Sequence, residues 1–242
     1  MTDDAKFRLV VVYDNRTLVE GLEPDWGFAC VVMRGADTVL FDTGAKPAVL
    51  AANLAALGFG LTGFDRVVIS HDHWDHNGGL EAALGRRCGR CWLPASASES
   101  LAARVRALGA EPVRVAGPAE LVPGIRTTGE IAGDPPEQAL VIATAAGPVV
   151  ATGCAHPGVA AMCRAVSEQF GLAPALVVGG FHLRESGPGQ ARAASAELEA
   201  LGVRRVGPAH CTGEAARAVF EEEWGERCEN VGCGWSAEWA AR

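Results

Sequence analysis

Three features of the chain predict an α/β fold with two mixed sheets packed between helical layers. Short β-branched runs alternate with helical spacings of apolar residues. Strands come first and strand–helix alternation follows, and this order starts again near residue 139. Apolar runs end repeatedly on a histidine, which suits open α/β arrangements because their ligands gather at the carboxyl ends of strands. The repeated order suggests an internal duplication, and with no linker of disordered composition between the halves we expect one domain over residues 1–242.

Phe7 to Tyr13 reads as a buried strand stopped by Asp14-Asn15, a turn-forming pair. Phe28 to Met33 and Thr38 to Phe41 are strands joined by Arg34-Gly35-Ala36-Asp37 as a hairpin, and Asp42-Thr43-Gly44 breaks the second. Pro47 to Leu57 has helical spacing, with proline in the first turn and Gly58 past the end. Val67 to Ser70 is a strand, Gly78 to Leu84 a short helix, Arg90 to Leu93 a strand and Ser98 to Leu108 a helix. Between Glu111 and Gln138 five prolines weaken the pattern, leaving short strands near Val113-Val115 and Ile125-Thr128. The second half predicts strands at Ala139–Ala143, Pro148–Thr152, Ala175–Val178 and Arg204–Val206, and helices at Gly158–Phe170, Gln190–Leu201 and Gly213–Trp224.

The chemistry concentrates in His71-Asp72-His73-Trp74-Asp75-His76-Asn77-Gly78-Gly79, placed where a strand turns to helix. Two histidines two residues apart can aim imidazoles at one ion from a loop, and the following Asp-His pair can face a second ion beside it. Imidazole with carboxylate is the ligand set of zinc, iron and manganese sites. The chain has six histidines, and the other three, His156, His182 and His210, each close an apolar run, so all six point to one convergent site.

Composition narrows the partners. Hydrophobic residues at 49% and charged residues at 21% describe a soluble globular protein. A net charge of −8 argues against a nucleic-acid partner, which usually meets a basic face. No apolar stretch approaches the roughly 20 residues of a membrane helix, so no membrane partner is expected. The acidic Met1 to Lys6 resembles neither a signal nor a transit peptide, and a cytoplasmic location is expected. The eight cysteines are then read as reduced thiols. A structural zinc on Cys88 and Cys91 with Cys228 and Cys233 is disfavoured, because the second gap is long and no histidine lies near either pair.

The string Ser70 to Leu80, preceded by Leu40-Phe41-Asp42-Thr43-Gly44, resembles the signature of the metallo-β-lactamase superfamily, whose fold is an αββα sandwich, two mixed sheets flanked by helices. From about Val10 onward, Thr152-Gly153-Cys154-Ala155-His156, Gly179-Gly180-Phe181-His182-Leu183 and Pro208-Ala209-His210-Cys211-Thr212-Gly213 look like one branch of it. That branch is usually labelled as resembling the archaeal dihydropterin/ribofuranosylaminobenzene phosphate synthase. The resemblance implies two divalent metal ions, zinc first with manganese or iron as alternatives. One is held by His71 and His73, the other by Asp75 and His76 with His210, and Asp42 fixes the metal loop by hydrogen bonds. The chain departs from common members at two places. Thr152-Gly153-Cys154 stands where a bridging Asp is usual, and Thr128-Gly129-Glu130 where a further His is usual. His156 is expected as a ligand, the alternative being a core histidine, and Cys154 and Glu130 remain possible ligands.

The expected reaction is hydrolysis, by a metal hydroxide, of a small phosphorylated or ester-type metabolite, with a pterin-related phosphate compound as one candidate. Asp75 would hold metal and orient the water, and His182, after Gly179-Gly180, would bind phosphate or donate a proton. Two other readings stand beside it: an iron-dependent redox enzyme, which Cys154 would suit, and a metal-loaded metabolite-binding domain without turnover. Trp26 and Trp74 either close over a planar ligand or pack in the core. Oligomeric state is not legible from the sequence.

Overall fold

In chain order the first half forms β1 (Lys6–Tyr13), β2 (Ala29–Arg34), β3 (Asp37–Phe41), α1 (Pro47–Ala56), β4 (Arg66–Val68), α2 (Trp74–Asn77), α3 (Leu80–Leu84), β5 (Arg90–Pro94), α4 (Glu99–Ala107) and β6 (Glu111–Val115). The rest forms β7 (Ala119–Val122), β8 (Ile125–Thr127), β9 (Leu140–Thr144), β10 (Gly147–Thr152), α5 (Val159–Phe170), β11 (Leu176–Gly180), α6 (Pro188–Ala200), β12 (Val206–Ala209), α7 (Glu214–Trp224) and β13 (Ser236–Ala240). The computed structural model describes residues 6–60, 63–84 and 89–242.

The strands assemble into two mixed sheets, ordered β13-β1-β2-β3-β4-β5-β6 and β12-β11-β10-β9-β8-β7. Period-two alternation decides how they stack. Phe7, Leu9, Val11, Phe41 and Val68 of the first sheet meet Leu140, Ile142, Val149 and Val178 of the second in a shared core. Val10, Val12 and Leu40, pointing the other way, pack on Leu50, Leu54, Leu80 and Leu101 of α1, α3 and α4. Val141, Val150 and Val177 pack on Met162, Val166, Leu198 and Phe220 of α5, α6 and α7. Each fully buried side chain of this size stabilises by about 1.5–3 kcal/mol, so a one-residue slip that turned a strand's apolar sets around is strongly opposed.

Three parallel pairings aim the site. β3 runs parallel to β4, and β10 runs parallel to β11 and β11 to β12. The loops that leave the carboxyl ends of these strands carry Asp42, His71, Cys154, His156, His182 and His210. No helix among the described residues is long and apolar enough to cross a membrane.

Several expected elements shift. The strand expected at Arg204–Val206 runs instead from Val206 to Ala209, and it tolerates Pro208 because β12 lies at the edge of its sheet. The short helix expected at Gly78–Leu84 runs from Leu80 to Leu84 as α3, and a further short helix, α2, precedes it over Trp74–Asn77. Two edge strands went unread: β7, framed by prolines, and β13, whose half-exposed alternation pairs antiparallel with β1. Cys88 lies outside the described residues. Cys91 is buried in the core under α1, α3 and α4, and Cys233 accepts the Asp14 N–H at 3.1 Å.

Candidate metal centre

Asp42 organises the first side of the site. It follows β3 with a φ of 57°, and its carboxylate accepts the Ser70 N–H, the Ser70 hydroxyl and the His76 Nδ1 proton, each at 2.7 Å. Ser70 Oγ also lies 2.9 Å from His71 Nδ1. Both imidazoles are therefore held through Nδ1, which leaves their Nε2 atoms to face inward. His76 Nε2 comes within 3.2 Å of Cys154 Sγ, and His71 Nε2 within 3.0 Å of His73 Nδ1.

The second sheet supplies the opposite side. Ring centroids of His156 stand 4.7 Å from His71, 4.9 Å from His73 and 4.2 Å from His182, and His210 stands 5.0 Å from His76. All six imidazoles thus form one connected cluster. Asp75 reaches into it, with Oδ2 3.4 Å from His210 Nε2 and 3.8 Å from His76 Nε2.

Three sets of donors have their ligand atoms within 4.8 Å of one another: His71, Cys154 and His156; His76, Cys154 and His210; and Cys154, His182 and Cys211. Cys154 belongs to all three. Nε2 of His156 is buried without a hydrogen-bond partner, and Nε2 of His210 has only the Asp75 carboxylate, 3.4 Å away and outside hydrogen-bond geometry. An orphaned buried nitrogen is costly, and a cation beside it removes the cost. Donor chemistry and orphaned atoms together fit divalent ions of the zinc type. His73 and His182 are exposed, on the outer side of the cluster. Glu130 is turned elsewhere, accepting the Ser96 N–H at 2.6 Å.

Electrostatics follow from burial and neighbours. Burial holds the His71 imidazole well below its usual pKa, with His76 adding to the effect. Burial, then His182, lowers His156 to about 4. Burial would lower His76 too, but the Asp42 carboxylate outweighs it and raises the ring to about 9. Burial would raise the Asp75 carboxyl, yet His210 and His76 hold it below the usual carboxylate range.

Three positioning residues escaped the sequence reading. Glu137, fully buried, accepts the N–H groups of Gly153, Cys154 and Ala155 on Oε1 at 3.0 Å and that of His156 on Oε2 at 2.9 Å. It pins the loop bearing Cys154 and His156, and its own pKa is pushed up by burial to about 7 against the pull of those N–H groups. Asp14 accepts the His210 N–H at 2.8 Å, and Asn15 Oδ1 lies 3.1 Å from His210 Nδ1. Asp14-Asn15 was legible only as a turn, and Glu137 sits in the proline-rich stretch without periodicity. One sign of a strained site appears only in the backbone: the non-glycine residues with positive φ among the described residues are Asp42, Ala155, His182 and His210.

The two tryptophans differ. Trp74 is 62% exposed, so core packing does not describe it. Trp26 lies 4.9 Å from the His210 ring, with the Arg184 guanidinium 4.6 Å over its face.

Residues 27–87 match the family model described as the metallo-beta-lactamase superfamily. A protein of Methanocaldococcus jannaschii named 7,8-dihydropterin-6-methyl-4-(beta-D-ribofuranosyl)-aminobenzene-5'-phosphate synthase is 26% identical, over 81% of this chain and 82% of its own. The solved structure of Tm1679, described as a metal-dependent hydrolase of the beta-lactamase superfamily, superposes with a TM-score of 0.82 at 28% identity, covering 97% of this chain and 99% of that one. A diphosphatase from the PhnP family shares the fold at a TM-score of 0.64 and 14% identity, over 98% of both chains. The chain therefore has the metallo-β-lactamase fold and carries that superfamily's sequence pattern over residues 27–87, and the enzyme names of its relatives support an enzyme.

Proposed function

We propose that the chain is a metal-dependent hydrolase of a small phosphorylated or ester-type metabolite, with two divalent ions, zinc by donor preference, as its cofactors. The observation that carries this reading is the pair of donor sets His71/Cys154/His156 and His76/Cys154/His210 sharing one thiol. His73, just before α2, and Asp75, in its first turn, complete them. Imidazole and thiol donors favour zinc over manganese. Divalent ions bound there would lower the pKa of a water and polarise the oxygen of the electrophile.

The chain's own residues do the rest. Asp42, Ser70, Asn15 and Glu137 hold the imidazoles and the Cys154 loop in one geometry, so little reorganisation accompanies the reaction. Asp75, kept ionised by its histidine neighbours, accepts a hydrogen bond from the attacking water and orients it. His182, exposed at the edge of the cluster, stands where an imidazolium can give its proton to the leaving oxygen. A pterin-related phosphate compound is the candidate substrate that the name of the archaeal relative brings, with the exposed ring of Trp74 available to stack on its planar part.

Elemental analysis coupled to a screen of phosphodiesters, phosphomonoesters and lactones, before and after chelation, tests the reading. Two metals per chain with hydrolysis that is lost on chelation and restored by zinc are expected. Hydrolysis that survives complete chelation overturns it, and iron content with oxygen uptake but no hydrolysis shifts the site to redox chemistry, which the thiols of Cys154 and Cys211 would suit.

A further inference from the structure

We propose that the cavity beside His210 is a subsite for a phosphate group on the substrate, held by Arg16, Arg184, Arg217 and the first turn of α7. The proposal rests on the hydrolase reading only for where the reacting bond lies; the anion site itself is argued from its own residues.

The cavity measures about 350 Å³ and adjoins the metal centre through His210, which lines it. In a chain of net charge −8, three arginines converge on this one hollow. Arg217 is buried to 3% exposure; its terminal nitrogens are spent on the carbonyls of Pro208 and Val231, and its Nε has no hydrogen-bond partner. That nitrogen is shielded from solvent, so the buried guanidinium acts on the cavity through its charge rather than through an open donor.

The helix adds donors of its own. Gly213 and Glu214 line the same cavity where α7, eleven residues long, begins. The first N–H groups of a helix have no partner within it and favour an anion. Gly213, at a φ of 76°, lets this turn approach closely, since a Cβ there would stand 2.7 Å from Arg184 Cα. Arg184 is tied to the metal centre through its own N–H, which donates to the Cys211 carbonyl at 3.0 Å, and its guanidinium is laid over Trp26.

Two carboxylates share the lining and partly balance the charge of Arg217, and neither accepts a hydrogen bond from its guanidinium. Asp14 spends one oxygen on the His210 N–H and the other on the Arg16 N–H. Glu214 lies 3.9 Å from Arg16 Nε with its side chain 78% exposed, a contact that a tetrahedral dianion can displace. A phosphate bound here sits one ring away from the imidazole cluster, so it would anchor the substrate at a point remote from the reacting bond.

Isothermal titration with inorganic phosphate tests this on metal-loaded and chelated protein, for wild type and for the double variant Arg16→Gln/Arg184→Gln. Both side chains are at the surface, so the fold should survive, as circular dichroism would verify. Phosphate should bind the wild type in both metal states, and the double variant should bind it about tenfold more weakly or worse in both. Binding that needs the metal, binding unchanged in the variant, or no binding at all overturns the proposal. Should the variant fail to fold, phosphate binding to chelated wild type decides alone. Failure of the hydrolase reading looks different: phosphate binding intact, no substrate turned over.

Discussion

Glu137→Gln tests whether one buried carboxylate holds half of the metal centre in place. A glutamine keeps a carbonyl oxygen where Oε1 accepts from Gly153, Cys154 and Ala155, but it sets an amide NH2 against the His156 N–H that Oε2 accepts at 2.9 Å. That part-buried N–H loses its acceptor, at about 1–3 kcal/mol, and the three remaining bonds weaken from charge-assisted to neutral by about 1 kcal/mol each. The loss is partly offset because the charge was itself expensive to bury, as its pKa pushed up to about 7 indicates. The balance is a destabilisation of about 2–4 kcal/mol. Urea unfolding of the chelated variant against chelated wild type measures it. Since the displaced loop carries Cys154 and His156, zinc affinity read by competition with a chromophoric chelator should also fall, about 10–100-fold. A variant with the wild-type midpoint and wild-type zinc affinity would refute the argument. Glu137→Ala strips the acceptor from all four N–H groups, about 4–12 kcal/mol, which rivals the stability of a whole domain, so that variant should not fold.

Gly153→Ala places a Cβ 2.1 Å from Ser70 Oγ and 2.9 Å from Asp42 Oδ2, atoms locked to each other and to His71. It should cost at least about 1–3 kcal/mol in urea unfolding, while Gly189→Ala, whose Cβ meets nothing within 4 Å, should be neutral or slightly stabilising. Chelated protein should lose stability as pH falls from about 6.5 toward 4. Across that range the unfolded chain binds protons that folded His71, His73 and His156 refuse, and the buried carboxyls of Glu137 and Asp14, shifted upward, oppose them in part. His76 acts on the other side: its stabilisation, present below pH 6.5, is lost as pH rises through about 9. Urea midpoints at three pH values check both, and a midpoint at pH 5 equal to that at neutrality would contradict the histidine argument.

Most elements of the second half were legible because apolar periodicity is a local property, as α5 and α7 show, both assigned within a residue of their observed ends. Edges were harder. β13 alternates half-buried with exposed positions, and only its pairing with β1 makes it a strand. The register of β12 could not be read from Arg204-Arg205-Val206 alone, since Val206 opposite Val177 is decided by the neighbouring strand.

At the site the division is sharper. The inventory of donors, six histidines and the Asp75 carboxylate, and their places at strand ends stand in the one-dimensional pattern, because ligand types and turn positions are local features. Which donors meet was decided in three dimensions. Cys154 joins His71 and His156 on one side and His76 and His210 on the other, because two sheets pack face to face and bring their parallel-strand ends to one edge. The same packing buries Glu137 under the Cys154 loop and Asp14 under His210. A buried carboxylate is chosen by the N–H groups it must satisfy, and those belong to chain segments brought near only by the folded core.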